Sequence, residues 1–141
     1  MDEEAVAGLE RGLAIGQGVY FIGTGVWPIL SPGSFQAVTG PKTDMWLVKT
    51  IGALIAVIGG VILSAGVRGT VGAEVAALAA GSSAVLAGSD VIYAGKGRIR
   101  KIYLVEAVAE FALIAAWAAR PGRKRRAGQS LPSISTSETR I

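Results

Sequence analysis

Four long runs of apolar residues constrain the fold of this chain more than any other feature. They lie at about 12–30, 45–65, 70–92 and 102–119. A helix that crosses a bilayer needs about 20 mostly apolar residues, and each run approaches or exceeds that length. The first two runs are apolar on every side of a helix, whereas a helix of a soluble protein keeps a polar face. The sequence therefore predicts an all-α integral membrane protein with four spans.

The connections between these runs predict how the spans pack. The second and third connections, "GVRG" and "YAGKGRIRK", are short, so the spans should form a four-helix antiparallel bundle. Small residues let membrane helices approach one another closely. Gly12 and Gly16 form one candidate stripe of small residues, and Ala56, Gly60 and Ser64 form another. We expect both stripes to make contacts within the bundle, with a homo-oligomer as the alternative.

The first connection, "SPGSFQAVTGPKTD", is longer and contains helix signals of its own. Ser34 can cap a short helix formed by "FQAV". Gly40 followed by Pro41 is typical of a helix end. Thr43 or Asp44 can then cap the second span. The sequence therefore predicts a short interfacial helix in loop 1, which can act as a lid over the charged residues described below.

The absence of certain residue types excludes several kinds of site. The chain has no cysteine and no histidine, which removes disulfides, thiolate nucleophiles and the commonest general base. The sequence contains no nucleophile–base pair, metal-ligand spacing or phosphate-binding loop, so we expect no enzyme, no metal and no cofactor. The net charge of +4 comes largely from a cluster near the C-terminus. We therefore expect a lipid bilayer, and no nucleic acid, as partner.

That cluster belongs to a segment unlike the rest of the chain. Residues 1–121 form the predicted four-span domain, whereas residues 122–141 are basic and rich in Ser and Thr. Such low-complexity sequence predicts a disordered tail. Four of its basic residues can bind anionic lipid headgroups, or simply flank the last span: Arg123, Lys124, Arg125 and Arg126.

The distribution of basic residues indicates the orientation in the membrane. Four spans place both termini on one side, with seven basic residues near the membrane there and five on the other side. Basic residues favour the cytoplasmic side. We therefore expect a multi-pass protein of the cell (inner) membrane with cytoplasmic N- and C-termini. The small difference leaves dual topology as an alternative.

Charged residues inside a bilayer are costly and are usually functional. The third and fourth spans form a hairpin that turns near Gly97, and a helical rise of about 1.5 Å per residue puts Asp90 and Glu106 at similar depth. Lys49 lies a few residues inside the second span, which starts from the same face. The candidate ligand-binding or ion-pair layer, with Lys42 above it, comprises Asp44, Lys49, Asp90, Tyr93 and Glu106.

Glu110 lies deeper than this layer. It is one helical turn beyond Glu106 on the same face, near the middle of the bilayer. Ser82 and Ser83 are at comparable depth and can hydrogen-bond to it. Glu110 and Glu74 are the candidate proton-binding residues. A second, shallower layer toward the termini would gather Glu10, Arg11, Arg68, Glu74 and Arg120.

Two segments, "SFQAVTGPKTDMWLVKT" and "DVIYAGKGRIRKIYLVEAVAE", cover about a quarter of the chain. They resemble segments of small bacterial four-span membrane proteins, which have an aromatic-AVTGPKTD-x-WLVKT sequence and a later D-x-x-Y…R-I-x-x-x-Y-x-x-(D/E) sequence. The resemblance implies the four-span architecture but no activity, since that group is uncharacterised. The matching positions are Phe35, 37–44, 46–50, Asp90, Tyr93, Arg98, Ile99, Tyr103 and Glu106.

By architecture alone, the chain is similar to DoxX-like and EXPERA four-helix membrane proteins. Some of those bind sterol-like or other hydrophobic ligands around intramembrane carboxylates, and the resemblance implies such a role here. Small multidrug exporters also have four spans and a similar length. This chain lacks their early glutamate well inside the first span, because Glu10 lies only at its edge.

Three functions therefore stay open. We favour a bundle that binds a small hydrophobic ligand or a partner at the candidate layer below loop 1, which comprises Asp44, Lys49, Asp90, Tyr93 and Glu106. The first alternative is a small proton-coupled exporter that uses Glu110 or Glu74. The second is a structural membrane subunit whose charged residues form only ion pairs, such as Lys49 with Asp90.

Overall fold

The structure is a computed structural model that describes residues 2–120 and contains five α-helices, and no strand, within that range. The helices are α1 (Glu3–Leu30), α2 (Pro32–Thr39), α3 (Met45–Arg68), α4 (Ala73–Gly95) and α5 (Tyr103–Ala118). Three of them, α1, α3 and α4, are long and apolar enough to cross a membrane. The all-α prediction is confirmed. The predicted disorder of residues 122–141 falls outside the described residues, as does the lipid-binding role of Arg123, Lys124, Arg125 and Arg126.

The helices around loop 1 begin differently from expectation. α2 starts at Pro32 with Ser31 as its N-cap, so Ser34 lies inside the helix instead of capping it. Proline suits the first helical position because its fixed φ is helical and its missing N–H is not needed there. Asp44 directly precedes α3, but its side chain makes no capping hydrogen bond. Gly40 ends α2 as predicted, with a φ of 93° that favours glycine.

Large apolar side chains cover the outer faces of the long helices. On α5, Val105, Val108 and Phe111 are exposed, and on α3 and α4 the same holds for Val57 and Val85. Soluble proteins rarely expose contiguous apolar surface of this kind. These outer faces therefore suit lipid as their surroundings. α5 coincides with the fourth apolar run, although at 16 residues it is shorter than α1, α3 and α4.

The closest helix contact joins α1 to α3 along their glycines. A Cβ atom at Gly59 would lie 2.8 Å from the carbonyl oxygen of Gly18 and 2.7 Å from Cβ of Phe21. Only glycine allows the two backbones to approach this closely. We call this contact the glycine seam, and it consists of Gly18 and Gly25 of α1 with Gly52, Gly59 and Gly66 of α3.

The stripes predicted from the sequence are largely wrong in position. A Cβ atom at Gly12, Gly16 or Gly60 would meet nothing within 4 Å in the described part of the chain. Ala56 does reach the seam, where it lies against Gly25. The seam glycines recur every seven residues along each helix, which is about two helical turns and keeps them on one face. The outward glycines lie on other faces of the same helices.

α4 packs against α5, and this second pair contacts α1 and α3 much less extensively. The bundle is therefore built from two close helix pairs, α1–α3 and α4–α5. Phe21, Ile62, Ala79 and Trp117 belong to the buried core where the pairs meet. Looser packing between the pairs leaves space, and the cavities described below lie there.

Candidate functional site

Two carboxyl groups of the α4–α5 hairpin meet at one cavity. Asp90 of α4 and Glu106 of α5 both line a cavity of about 210 Å³. Asp90 is 9% exposed, and its Oδ2 atom is buried without a hydrogen-bond partner among residues 2–120. The structure thus brings these two residues together, as their distances from the turn near Gly97 predict.

The other walls of this cavity, called the carboxyl cavity below, are mostly apolar. α2 and α5 contribute the rings of Phe35 and Tyr103. α3 and α4 contribute the aliphatic side chains of Ile51, Ile55 and Leu86, and α1 completes the wall. All five helices therefore take part. The result is a small apolar space with two acids on its surface.

A second cavity of about 300 Å³ lies between α1, α2 and α5. It shares Phe35, Tyr103 and Glu106 with the carboxyl cavity, so the Glu106 side chain lies between the two spaces. α2 covers both, and it is fixed to the end of α1. There the Trp27 Nε1–H donates to Ser34 Oγ at 2.8 Å, and the Trp27 and Phe35 ring centres are 5.5 Å apart.

Lys42 contacts two residues that line these cavities, Thr39 and Tyr103. Its Nζ donates to the carbonyl oxygen of Thr39 at 3.1 Å and lies 5.0 Å from the centre of the Tyr103 ring. Its backbone N–H donates to Gln36 Oε1 at 3.0 Å. Loop 1 is thereby held over α5, with a cation against an aromatic ring. The predicted position of Lys42 above the carboxyl layer agrees with this arrangement.

Three members of the predicted layer do not join Asp90 and Glu106. Lys49 is exposed, because α3 turns Val48 toward the cavity and the next residue lies about 100° further round the helix. Asp44 is exposed in loop 1, where it accepts a 3.4 Å hydrogen bond from the adjacent Thr43 hydroxyl. Tyr93 is exposed, with Lys96 Nζ 5.9 Å from its ring centre. The Lys49–Asp90 ion pair of the structural alternative does not form.

Glu110 is fully buried one turn deeper than Glu106. It is 0% exposed, and neither carboxyl oxygen has a hydrogen-bond partner within the described chain. The Ser83 hydroxyl lies beside it, as the sequence predicts. Ser82 instead faces a groove between α3 and α4.

A buried polar network that the sequence did not reveal joins α1, α4 and α5 next to Glu110. The Gln17 amide donates to the Ala79 carbonyl oxygen at 2.9 Å and to Ser83 Oγ at 3.1 Å. The Trp117 Nε1–H donates to Gln17 Oε1 at 2.6 Å. Gln17 is the one amide side chain in the first apolar run. That was the available signal, but nothing in the sequence identifies Trp117 as its partner.

The residues near the termini form a separate, shallower cluster. Glu10 and Arg120 make an ion pair at 3.5 Å, and the Arg120 guanidinium lies 5.9 Å from the centre of the Trp117 ring. Arg11 donates to the Val67 carbonyl oxygen at 3.2 Å. Glu74 is exposed in the first turn of α4, so it lacks the burial on which its proton-binding role depended.

An apolar groove of about 530 Å³ runs between α3 and α4. Ile51, Ile55 and Leu86 line both this groove and the carboxyl cavity, so the two spaces adjoin. Leu54 and Val85 also line it and are exposed on the outer surface. The groove therefore connects the outer, apolar face of the bundle with the two acids inside.

No group of three or more Asp, Glu, His or Cys side chains between residues 2 and 120 is arranged to hold a metal ion. Oxygen ligands from Asp90 and Glu106 alone do not make such a site. What the arrangement offers is charge and hydrogen-bond acceptors within apolar walls. No family model, curated protein or solved structure matches this chain significantly.

Proposed function

We propose that this chain is a four-span protein of the bacterial cell membrane that binds a small hydrophobic ligand in the carboxyl cavity. The observation that carries this proposal is the meeting of Asp90 and Glu106 in one apolar cavity. A buried carboxyl group without a partner destabilises the protein unless something else satisfies it. A ligand that donates to these groups would supply the missing contact.

The four-span arrangement is supported by the outer face of α5. Its exposed side chains Val105, Val108 and Phe111 resemble those on the three longer helices. Its 16 residues extend about 24 Å, somewhat less than the roughly 30 Å of a bilayer core. The flanking turn before Tyr103 and the Arg120 side chain would then lie at the two interfaces. In this orientation α2 is the interfacial helix, and the basic residues favour cytoplasmic termini.

The position of Lys49 favours binding over a purely structural role. A structural ion-pair layer needs a cation beside Asp90, and Lys49 was the candidate. Lys49 is exposed, and the ion pair found in the described range is Glu10 with Arg120, at the other end of the bundle. No lysine or arginine of residues 2–120 pairs with the acids at the carboxyl cavity, so a bound ligand would supply the partner that they lack there.

Photoaffinity labelling in native membranes tests this proposal. A diazirine derivative of a long-chain alcohol should label peptides of α3 and α4 around the cavity, and excess unlabelled alcohol should compete. Leu86→Trp, whose larger side chain would fill part of the cavity, should abolish the labelling that excess unlabelled alcohol prevents. Val108→Trp, on the outer face of α5, is the matched control and should leave it unchanged. Labelling spread evenly over the lipid-facing surface, without competition, would overturn the proposal.

A second candidate function, a proton-coupled exporter, is favoured by one specific observation. Asp90, Glu106 and Glu110 place three carboxyl groups along the α4–α5 hairpin, and the Glu110 side chain is fully buried. Chains of this kind serve as proton relays in membrane transporters. In proteoliposomes, adding a substrate should then release protons, and Glu110→Gln should abolish the release while the exposed Glu74→Gln does not. Equal release from both variants would exclude this function.

A further inference from the structure

We infer that the ligand is a cationic amphiphile, with an ammonium group between Asp90 and Glu106 and its hydrocarbon chain in the groove between α3 and α4. This inference rests on the proposed ligand-binding function and names the chemistry of the ligand. It draws on three separate features: the charge of the carboxyl cavity, the aromatic rings beside it and the apolar groove that adjoins it.

The charge of the site points to a cation. Asp90 and Glu106 line one cavity, Glu110 lies one helical turn beyond Glu106, and no lysine or arginine of residues 2–120 forms an ion pair with any of them. Lys42, at the edge of the site, is already engaged by the Thr39 carbonyl oxygen and the Tyr103 ring. An ionised carboxylate buried inside a bilayer without a countercharge is strongly unfavourable. A bound ammonium group offsets this cost for Asp90 and Glu106, whereas a neutral or anionic headgroup supplies no countercharge.

The rings at the site suit an ammonium group. Phe35 and Tyr103 line the same cavity as the two acids. Aromatic faces attract quaternary and protonated ammonium groups, and the attraction is strongest where water is excluded. Lys42 Nζ already lies 5.0 Å from the centre of the Tyr103 ring, so Phe35 is the ring of this cavity that has no cation beside it within residues 2–120.

The groove suits a hydrocarbon chain. It is almost entirely aliphatic, with Ser82 as a polar exception, and it meets the carboxyl cavity at Ile51, Ile55 and Leu86. Its outer edge carries the exposed Leu54, so a chain can enter from the surrounding lipid. Lipid and groove are equally apolar, so moving the chain between them changes the free energy little. The headgroup must therefore supply most of the selectivity.

Thermal unfolding in a neutral maltoside detergent tests the inference with three twelve-carbon probes: dodecyltrimethylammonium, dodecanol and laurate. At the same mole fraction in the micelle, the ammonium probe should raise Tm by a few degrees, because a ligand that binds only the folded state stabilises it. Dodecanol and laurate should raise Tm much less. Leu86→Trp, which narrows the passage between groove and cavity, should reduce the ammonium effect.

Substitutions of Asp90 and Glu106 distinguish binding at this site from a general effect of the detergent on stability. Glu106→Gln and Asp90→Asn should lose the shift with dodecyltrimethylammonium, and Glu74→Gln, exposed on α4, should keep it. If either variant fails to fold, equilibrium dialysis with the wild-type protein answers the same question. Binding of radiolabelled dodecyltrimethylammonium is measured with dodecanol as competitor. Displacement by dodecanol at equal concentration overturns the inference.

The outcomes distinguish the inference from the proposed function beneath it. If dodecanol stabilises the protein as strongly as the ammonium probe, and Glu106→Gln changes neither effect, the cationic ligand is excluded while hydrophobic binding stands. If no probe shifts Tm and the competable photolabelling is also absent, both proposals fail. Selective stabilisation by the ammonium probe, lost with the acids, supports both.

Discussion

The two sides of α3 differ in how closely they are packed. Toward α1, the glycine seam brings the backbones into contact, and a Cβ atom at Gly59 has no room. Toward α4, larger aliphatic side chains such as Ile55 and Leu86 hold the helices apart and leave a groove of about 530 Å³. Both faces are apolar, so hydrophobicity does not distinguish them. The size of the side chains decides which interface closes and which leaves space.

This difference explains why the candidate site lies where it does. The α1–α3 pair forms a tight frame, and the α4–α5 pair carries the acids on its inner side. Asp90 and Glu106 face the space that remains between the pairs. A glycine-lined contact between α3 and α4 would have closed both the groove and the carboxyl cavity.

The largest expected effect comes from filling the glycine seam. Gly59→Leu places a side chain against the backbone of Gly18 and Ile22 and should lower the free energy of unfolding by about 3 kcal/mol. Unfolding in mixed detergent and dodecyl sulfate micelles measures it. Gly60→Leu, the next residue on the same helix, has open space and should change little. An equal loss of stability in the two variants would contradict close packing at the glycine seam.

The buried network at the junction of the two pairs should give the next largest effect. Gln17→Leu removes the acceptor of the Trp117 N–H and the donor to Ser83, so about 1–3 kcal/mol of stability should be lost. The double variant Gln17→Leu/Trp117→Phe should recover part of this loss, because no buried N–H stays unpaired. Thr24→Val is the control, since its hydroxyl bonds only within α1. A loss of stability no greater than that of Thr24→Val would show that the buried network does not stabilise the protein.

The groove between α3 and α4 should tolerate a larger side chain, whereas the glycine seam should not. Gly81 lines the groove, and a Cβ atom there would meet nothing within 4 Å in the described chain. Gly81→Leu should therefore raise stability by about 0.5–1 kcal/mol, because leucine is the better helix former and fills empty space. The same detergent unfolding assay applies. Destabilisation comparable to that of Gly59→Leu would show that the two sides of α3 are equally close-packed.

The smallest effect is expected at Lys49. Because this side chain is exposed and makes no ion pair with Asp90 in the structure, Lys49→Met should change stability by less than about 0.5 kcal/mol. Lys42→Met should cost more, since it releases loop 1 from Thr39 and Tyr103. If the order of the two variants is reversed, the structural ion-pair explanation regains its support.

Positions along the helix axes were predictable from the sequence, and positions around each helix were not. The apolar runs locate the helices, and counting residues from the hairpin turn puts Asp90 level with Glu106. The same counting puts Lys49 in that layer, although its side chain points away. The spacing of small residues in α1 predicts a close helix contact at Gly12 and Gly16, but a Cβ atom at either position would meet nothing within 4 Å in the described chain.

The physical reason lies in the surroundings of the helices. A soluble helix shows its buried face by its polar periodicity, whereas a helix that is apolar all round carries no such signal. Sequence by itself therefore determined the helical class, the approximate positions of the long helices and the similar level of Asp90 and Glu106 along their hairpin, although α1 begins at Glu3, well before the predicted span. The tertiary structure decided which face of each helix turns inward. That rotation closes α1 on α3 through glycine, joins Gln17 to Trp117, and leaves Asp90 and Glu106 beside a cavity, with no ion pair to either acid within residues 2–120.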